Sequence, residues 1–170
     1  MEKTAAPEVA IRSARPADIP DMVGLLELLF AIEVDFTADA TRQSRGLALL
    51  LQQPLARIMV AEDEGRVVGM CSGQLTVSTA EGGFSLLVED LVVTPDCRGR
   101  RIGPRLIEAV ARWAAGHGAM RMQLLADRDN KSALNFYHRL GWQGTSLICL
   151  HRYHSAENCM ETRTRSRPTR

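Results

Sequence analysis

Midway along the chain the spacing of apolar residues changes, and that change restricts the fold more than any single motif. Before residue 52 apolar side chains recur every three to four positions, as Met22, Leu25, Leu26, Leu29 and Phe30 do, which is the spacing of an amphipathic helix. Between 57 and 93 they fill runs of strand length instead: 57–62, 66–77 and 84–93, separated by Asp63-Glu64-Gly65 and by a turn at 80–83. Runs of that length joined by tight turns predict antiparallel hairpins. The helical period returns with Ile102, Leu106, Val110, Trp113 and Ala114, and Gly116 and Gly118 close it.

The flanks complete the pattern. Residues 9–12 predict a short strand, Asp18 is placed to cap the first helix, and 41–51 predict a second helix that ends at Gln53-Pro54. After the third helix come an apolar strand at 120–126, a helix at 131–140 stopped by Gly141, and a returning strand at 143–152. Strands gathered in the middle with helices on both sides predict one α+β domain with a mixed, mostly antiparallel sheet. A length of 170 residues fits a single core. We expect a flexible leader at 1–8, the folded domain at 9–154 and a basic tail at 155–170.

Composition narrows the function classes. Apolar stretches such as 47–51 and 91–93 fall far short of the roughly 18 residues a membrane span needs, so no membrane partner is expected. Cys71, Cys97, Cys149 and Cys159 show no C-x-x-C pair and read as reduced thiols of a cytoplasmic protein. The net charge of +1 conceals a basic tail: without Arg163, Arg165, Arg167 and Arg170, 17 bases face 20 acids. A folded body of about −3 is a poor nucleic-acid binder. His151 and His154 have no nearby third ligand, so no metal is expected.

The segment with most chemistry is Val93-Thr94-Pro95-Asp96-Cys97-Arg98-Gly99-Arg100-Arg101-Ile102-Gly103-Pro104-Arg105-Leu106. A strand enters a loop with two glycines and four arginines, and the loop opens a helix. Helix starts leave N–H groups unpaired and carry partial positive charge, glycines permit close approach of a diphosphate, and arginines add donors. The residues read as a phosphate-binding turn or as an exposed basic loop. Pro104 removes one donor. The spacing is neither G-x-x-x-x-G-K-[ST] nor G-x-G-x-x-G.

This loop and a second stretch together resemble the GCN5-related N-acetyltransferase (GNAT) family. Arg98-Gly99-Arg100-Arg101-Ile102-Gly103 is similar to its pyrophosphate motif [QR]-x-x-G-x-[GA], with Arg101 where glycine is usual. The motif N-x-x-A-x-x-F-Y-x-[KR]-x-G-[FW] is matched at Asn130, Ala133, Phe136, Tyr137, Arg139, Gly141 and Trp142. Ile11-Arg12, Ala14, Pro16 and Asp18 look like the family's opening. The resemblance implies a sheet with splayed middle strands, 86–93 and 120–126, and acetyl-CoA as co-substrate between them. Its pantetheine would bond to the backbone of Leu91, Val92 and Val93. The diphosphate would lie on Arg98, Gly99, Arg100, Arg101, Ile102, Gly103 and Pro104, and Asn130 and Ala133 would line the other wall. If the Arg101 position requires φ > 0, the side chain costs about 1 kcal/mol there.

The implied reaction is attack of an amine on a thioester. A primary amine of pKa about 10.4 is neutral in only about one molecule per few thousand at pH 7, equivalent to roughly 4–5 kcal/mol, so a proton acceptor is needed. The resemblance makes Tyr137 the acid that protonates the leaving thiolate, although the same residue could simply pack in the core. Val88-Glu89-Asp90-Leu91 is similar to spermidine/spermine acetyltransferases, which makes Glu89 the base acting through water. The alternatives are a merely partnered acid or Asp90 as base. Strand alternation predicts that Glu89 and Asp90 point to opposite faces. Glu27, Glu33 and Asp35 border the expected acceptor cleft and would favour a cationic amine, or are only a solvated face. The expected acceptor is a small-molecule amine, with a protein lysine or N-terminus, or a non-catalytic acyl-CoA sensor, as alternatives. A homodimer is expected from the family.

Overall fold

The computed structural model describes residues 9–32 and 38–152. The expected leader and tail, with Glu33 and Asp35, lie outside the described residues. Strands β1 (Ala10–Ser13), β2 (Ala56–Asp63), β3 (Arg66–Ser78), β4 (Gly83–Val93) and β5 (Ala119–Leu124) form one sheet in chain order. The first three pairings are antiparallel and β4–β5 is parallel. A parallel pair needs a long crossover, which helix α3 (Ile102–Gly116) supplies between those strands. Helices α1 (Ile19–Phe30), α2 (Ala40–Gln52) and α4 (Lys131–Arg139) complete the element set. The mixed, mostly antiparallel fold read from the sequence is the one observed.

Local chemistry explains the turns and ends. Glu64 (φ 49°) and Gly65 (φ 81°) make the two-residue β2–β3 hairpin turn, whose twist matches the strands it joins. Asp39 caps α2, accepting from the Thr41 and Arg42 amides at 3.1 Å. Asp18 does not cap α1 as expected: its carboxylate accepts from the Arg15 amide at 2.7 Å, closing the short turn before the helix, and pairs with Arg12 at 2.7 and 2.9 Å. The forked guanidinium outcompetes a helix amide for that carboxylate.

The sheet separates two cores. On one face α1 and α2 bury Met22, Leu25, Leu26 and Leu47 against Ile58, Val60 and Met70. On the other, α3 buries Leu106, Ile107 and Val110 against Cys71, Leu86 and Val88. Gly73 lets α3 come close, since a Cβ there would lie 2.4 Å from Val110 Cγ1 and 2.8 Å from Leu86 Cδ1.

The strand expected at 143–152 is absent; these residues form no ladder. Thr145 Oγ1 accepts from the Leu147 amide at 3.3 Å, a local bond that turns the chain instead of extending it. Leu147, Ile148 and Leu150 stay exposed. A strand-like composition forms a strand only where a sheet edge and a face to bury are both supplied.

Candidate active site

Strand β4 outruns β5. Their parallel pairing stops at Val88 and Leu124, while β4 continues to Val93. The β3 register pairs Met70 with Val92 and Gly69 with Val93, and the Thr94 amide donates to the Val68 carbonyl at 2.9 Å. Because N–H groups alternate along a strand, Val92 faces β3 while the main-chain groups of Leu91 and Val93 face the side where β5 has ended. Of the three backbone positions read as pantetheine ligands, two therefore face the opening.

A β-bulge sits at the same place. The ladder steps from Met70–Val92 to Ser72–Glu89, so β4 carries one residue more than β3, and Asp90 takes the left-handed conformation at φ 51°. Ser72 Oγ donates to Asp90 Oδ2 at 2.8 Å and Gln74 Nε2 donates to Glu89 Oε2 at 2.7 Å. Ser72 and Gln74 are two apart on one strand and share a face, so both carboxylates turn to the α1–α2 side. This corrects the expectation that they point apart: the extra residue cancels the alternation. Burial pushes the Asp90 carboxyl above its usual range, the Ser72 bond pulls it back, and the charge of Glu89 raises it further. Burial and the Asp90 charge also push the Cys71 thiol up to about 12, so that thiol is inert.

The loop beyond β4 is shaped by positive φ at Gly99 (78°) and Arg101 (60°). Arg101 adopts the conformation anticipated for it, at the residue just before α3. The N–H groups of Ile102 and Gly103 open that helix without helical acceptors, and Pro104 is third in its first turn. Arg98 Nε donates back to the Val93 carbonyl at 3.2 Å, and Arg100 bonds Asp63 and the Cys97 thiol. The Arg101 carbonyl accepts from the Arg105 amide at 3.4 Å, while its side chain makes no hydrogen bond or ion pair with the described residues. The expected diphosphate ligands thus divide: two arginines brace the loop, and the exposed Arg101 side chain stands beside two amides that lack helical acceptors.

Helix α4 leans on this start, its Phe136 Cζ lying 3.3 Å from where a Gly103 Cβ would sit. Asn130 caps α4 by accepting from the Ala133 amide at 3.0 Å, so these two matched residues hold one another. Tyr137 is half-buried on the α3 face, 5.2 Å from the Phe136 ring and 6.0 Å from Trp142. Glu27 is exposed on α1. The sequence reading missed Ser72 and Gln74. Their signal was a polar residue at every second place of β3 (Ser72, Gln74, Thr76), a polar stripe beside two acids. Among the described residues there is no group of three metal-ligating side chains, and no helix is long and apolar enough to cross a membrane.

The sequence model of the acetyltransferase (GNAT) family matches residues 25–142. The chain belongs to that family. It is an N-acetyltransferase by membership, and two curated relatives cover most of its length. A thialysine N-epsilon-acetyltransferase of Mus musculus is 31% identical over 142 residues, 78% of this chain and 83% of that protein. The aminoalkylphosphonate N-acetyltransferase of Salmonella typhimurium is 28% identical over 81% of this chain and 86% of that one. A further match, to an N-acetyltransferase of Methanocaldococcus jannaschii, is 31% identical but spans only 40% of that protein. Among solved structures, an aminoglycoside N-acetyltransferase in complex with CoA superposes with a TM-score of 0.77 at 19% identity, covering 89% of this chain and 99% of that one.

Proposed function

We propose that this acetyltransferase moves the acetyl group of acetyl-CoA to a primary amine of a small molecule. One observation carries the reading. The two amides without helical acceptors at the start of α3 follow the strand end where β4 has lost its neighbour, so a long acyl carrier has an anion seat and a strand edge in succession. The diphosphate takes the amides of Ile102 and Gly103 and the guanidinium of Arg101, in a loop shaped by Gly99 and braced by Arg98 and Arg100. The pantetheine amide groups pair with Leu91 and Val93. Asn130 and Ala133 fix the α4 wall.

In this reading Tyr137 reaches the opening from the α3 face and Glu89 from the other. Glu89 takes the ammonium proton through water, and the neutral nitrogen attacks the thioester carbon. The C–N bond forms, the C–S bond breaks, and the Tyr137 hydroxyl donates to the departing thiolate. The second nitrogen proton restores the phenol, so the net products are amide, thiol and one proton. The small-molecule class is supported by the acceptors that the names of the mouse and Salmonella relatives carry, and by the acids of the β4 bulge, which suit a cation. We propose a homodimer in the cytoplasm as its working form. Exposed Leu147, Ile148 and Leu150 support self-association.

The test is thiol release from acetyl-CoA with a panel of diamines, aminoalkylphosphonates and amino acids, alongside calorimetry with CoA. Turnover with at least one amine and heat with CoA are expected. Absence of heat with both CoA and acetyl-CoA would overturn the reading.

A further inference from the structure

The bulge holds two carboxylates where one would serve a base. Asp90 sits at φ 51°, a conformation unusual outside glycine and tolerated by Asp mainly where the surroundings enforce it. It is half-buried and has Ser72 as its hydrogen-bond partner. No described cation pairs with it. Glu89 beside it and the Cys71 thiol across the sheet act on it electrostatically, and α1, the helix packed against β4, carries the acids Asp21 and Glu27. Asp21 Oδ2 accepts from the Val67 amide at 3.2 Å, and Glu27 is exposed. Nothing in this set neutralises Asp90, so holding its charge destabilises the fold. A strained, uncompensated acid beside a proposed base is better explained by the chemistry than by packing.

We infer that Asp90, seated on Ser72, is the final proton acceptor of a two-carboxylate relay in which Glu89 is the first. The inference rests on the proposed amine acetylation and adds a residue to it. The ammonium proton passes through water to Glu89 and from its carboxyl to Asp90, which becomes a carboxylic acid and later releases the proton to solvent. No other bond changes in this step. Burial gives Asp90 the higher proton affinity that a terminal acceptor needs. Ser72 tunes that affinity downward by bonding the ionised form, and Gln74 holds Glu89 in line.

The experiment is a pH–rate profile of kcat and kcat/KM for wild type, Asp90→Asn and Ser72→Ala, with the best amine of the panel, and thermal melts of each. Asp90→Asn should melt higher than wild type at pH 7, since Asn tolerates positive φ and carries no buried charge, yet lose at least tenfold in kcat. Ser72→Ala should move the acidic limb of the profile to higher pH, because the ionised carboxylate loses its donor. A merely structural Asp90 moves neither kcat at constant fold nor the limb. Wild-type kcat in Asp90→Asn, or an unmoved limb in Ser72→Ala, overturns the inference. Should Asp90→Asn not fold, the Ser72→Ala profile decides alone. If wild type acetylates no amine, the functional reading itself has failed, which is a separate result.

Discussion

Two aspartates, one beside the edge strand β1 and one within β4, show how differently this fold treats a carboxylate. Asp18, buried beside β1, meets the Arg12 guanidinium and the Arg15 amide, and these hold it below the ordinary carboxylate range. Asp90, in β4, meets a serine hydroxyl and another acid, and sits above that range. The β1–β2 ladder around Asp18 runs in unbroken register, and Arg12 is further tied to Glu62 at 2.7 Å. The β3–β4 ladder around Asp90 is bulged, and β5 stops five residues before β4 does. The first region is satisfied and rigid; the second keeps strain, an unpaired edge and unneutralised charge. Regions of the second kind are where a fold can do work on a ligand.

The strongest way to break this contrast is to force a side chain into the well-packed part. Gly73→Val should lower stability by about 3 kcal/mol, the upper end for overpacking, because Val110 and Leu86 already occupy the space. Urea unfolding measures it. A loss below 1 kcal/mol would mean that α3 is not seated as closely as described.

Next in size is the charge pair. Asp18→Asn should cost about 2 kcal/mol at pH 7, within the range for a broken charge-assisted hydrogen bond. The sign with pH follows from linkage: a lowered carboxyl stabilises above its unfolded value near 3.8, and that contribution is lost as pH falls through the still lower folded value. The gap between wild type and Asp18→Asn should therefore shrink with acid. For Asp90 the shift is upward, so wild type loses stability as pH rises through the raised value, and the gap to Asp90→Asn should open in the opposite sense. Parallel curves for the two variants would erase the distinction between the regions.

Tyr137→Phe tests the site while keeping the ring in its aromatic cluster. Turnover should fall at least tenfold, equivalent to about 1.4 kcal/mol of barrier, with CoA affinity by calorimetry near wild type. An unchanged rate would return Tyr137 to the aromatic cluster of Phe136 and Trp142 as a packing residue. The smallest effect is expected at the loop. Arg101→Gly should gain up to about 1 kcal/mol of stability from relief of its left-handed conformation, while CoA affinity weakens if the guanidinium meets the diphosphate. Affinity equal to wild type would remove Arg101 from the cofactor site.

How much of this was legible beforehand varied by residue. The β2–β3 hairpin could be read because Glu64-Gly65 is a turn that only certain residues accept. The α3 helix could be read from its period and its closing glycines. The 143–152 segment could not, since its apolar residues promise a strand while the Thr145 bond turns the chain and no strand of the sheet pairs with it. The bulge was illegible too: alternation is a local rule, and an inserted residue shows only against the partner strand.

The sequence by itself determined the element order, the glycine and arginine loop opening α3, and the motif that carries Asn130 and Tyr137. These depend on neighbours along the chain, where spacing and backbone preference act. Only the tertiary structure decided that Glu89 and Asp90 share a face, that Ser72 and Gln74 hold them, and that Arg98 and Arg100 brace the loop while the Arg101 side chain stays exposed. Those outcomes turn on which strand lies opposite and which charge lies near, and both are set when distant segments pack.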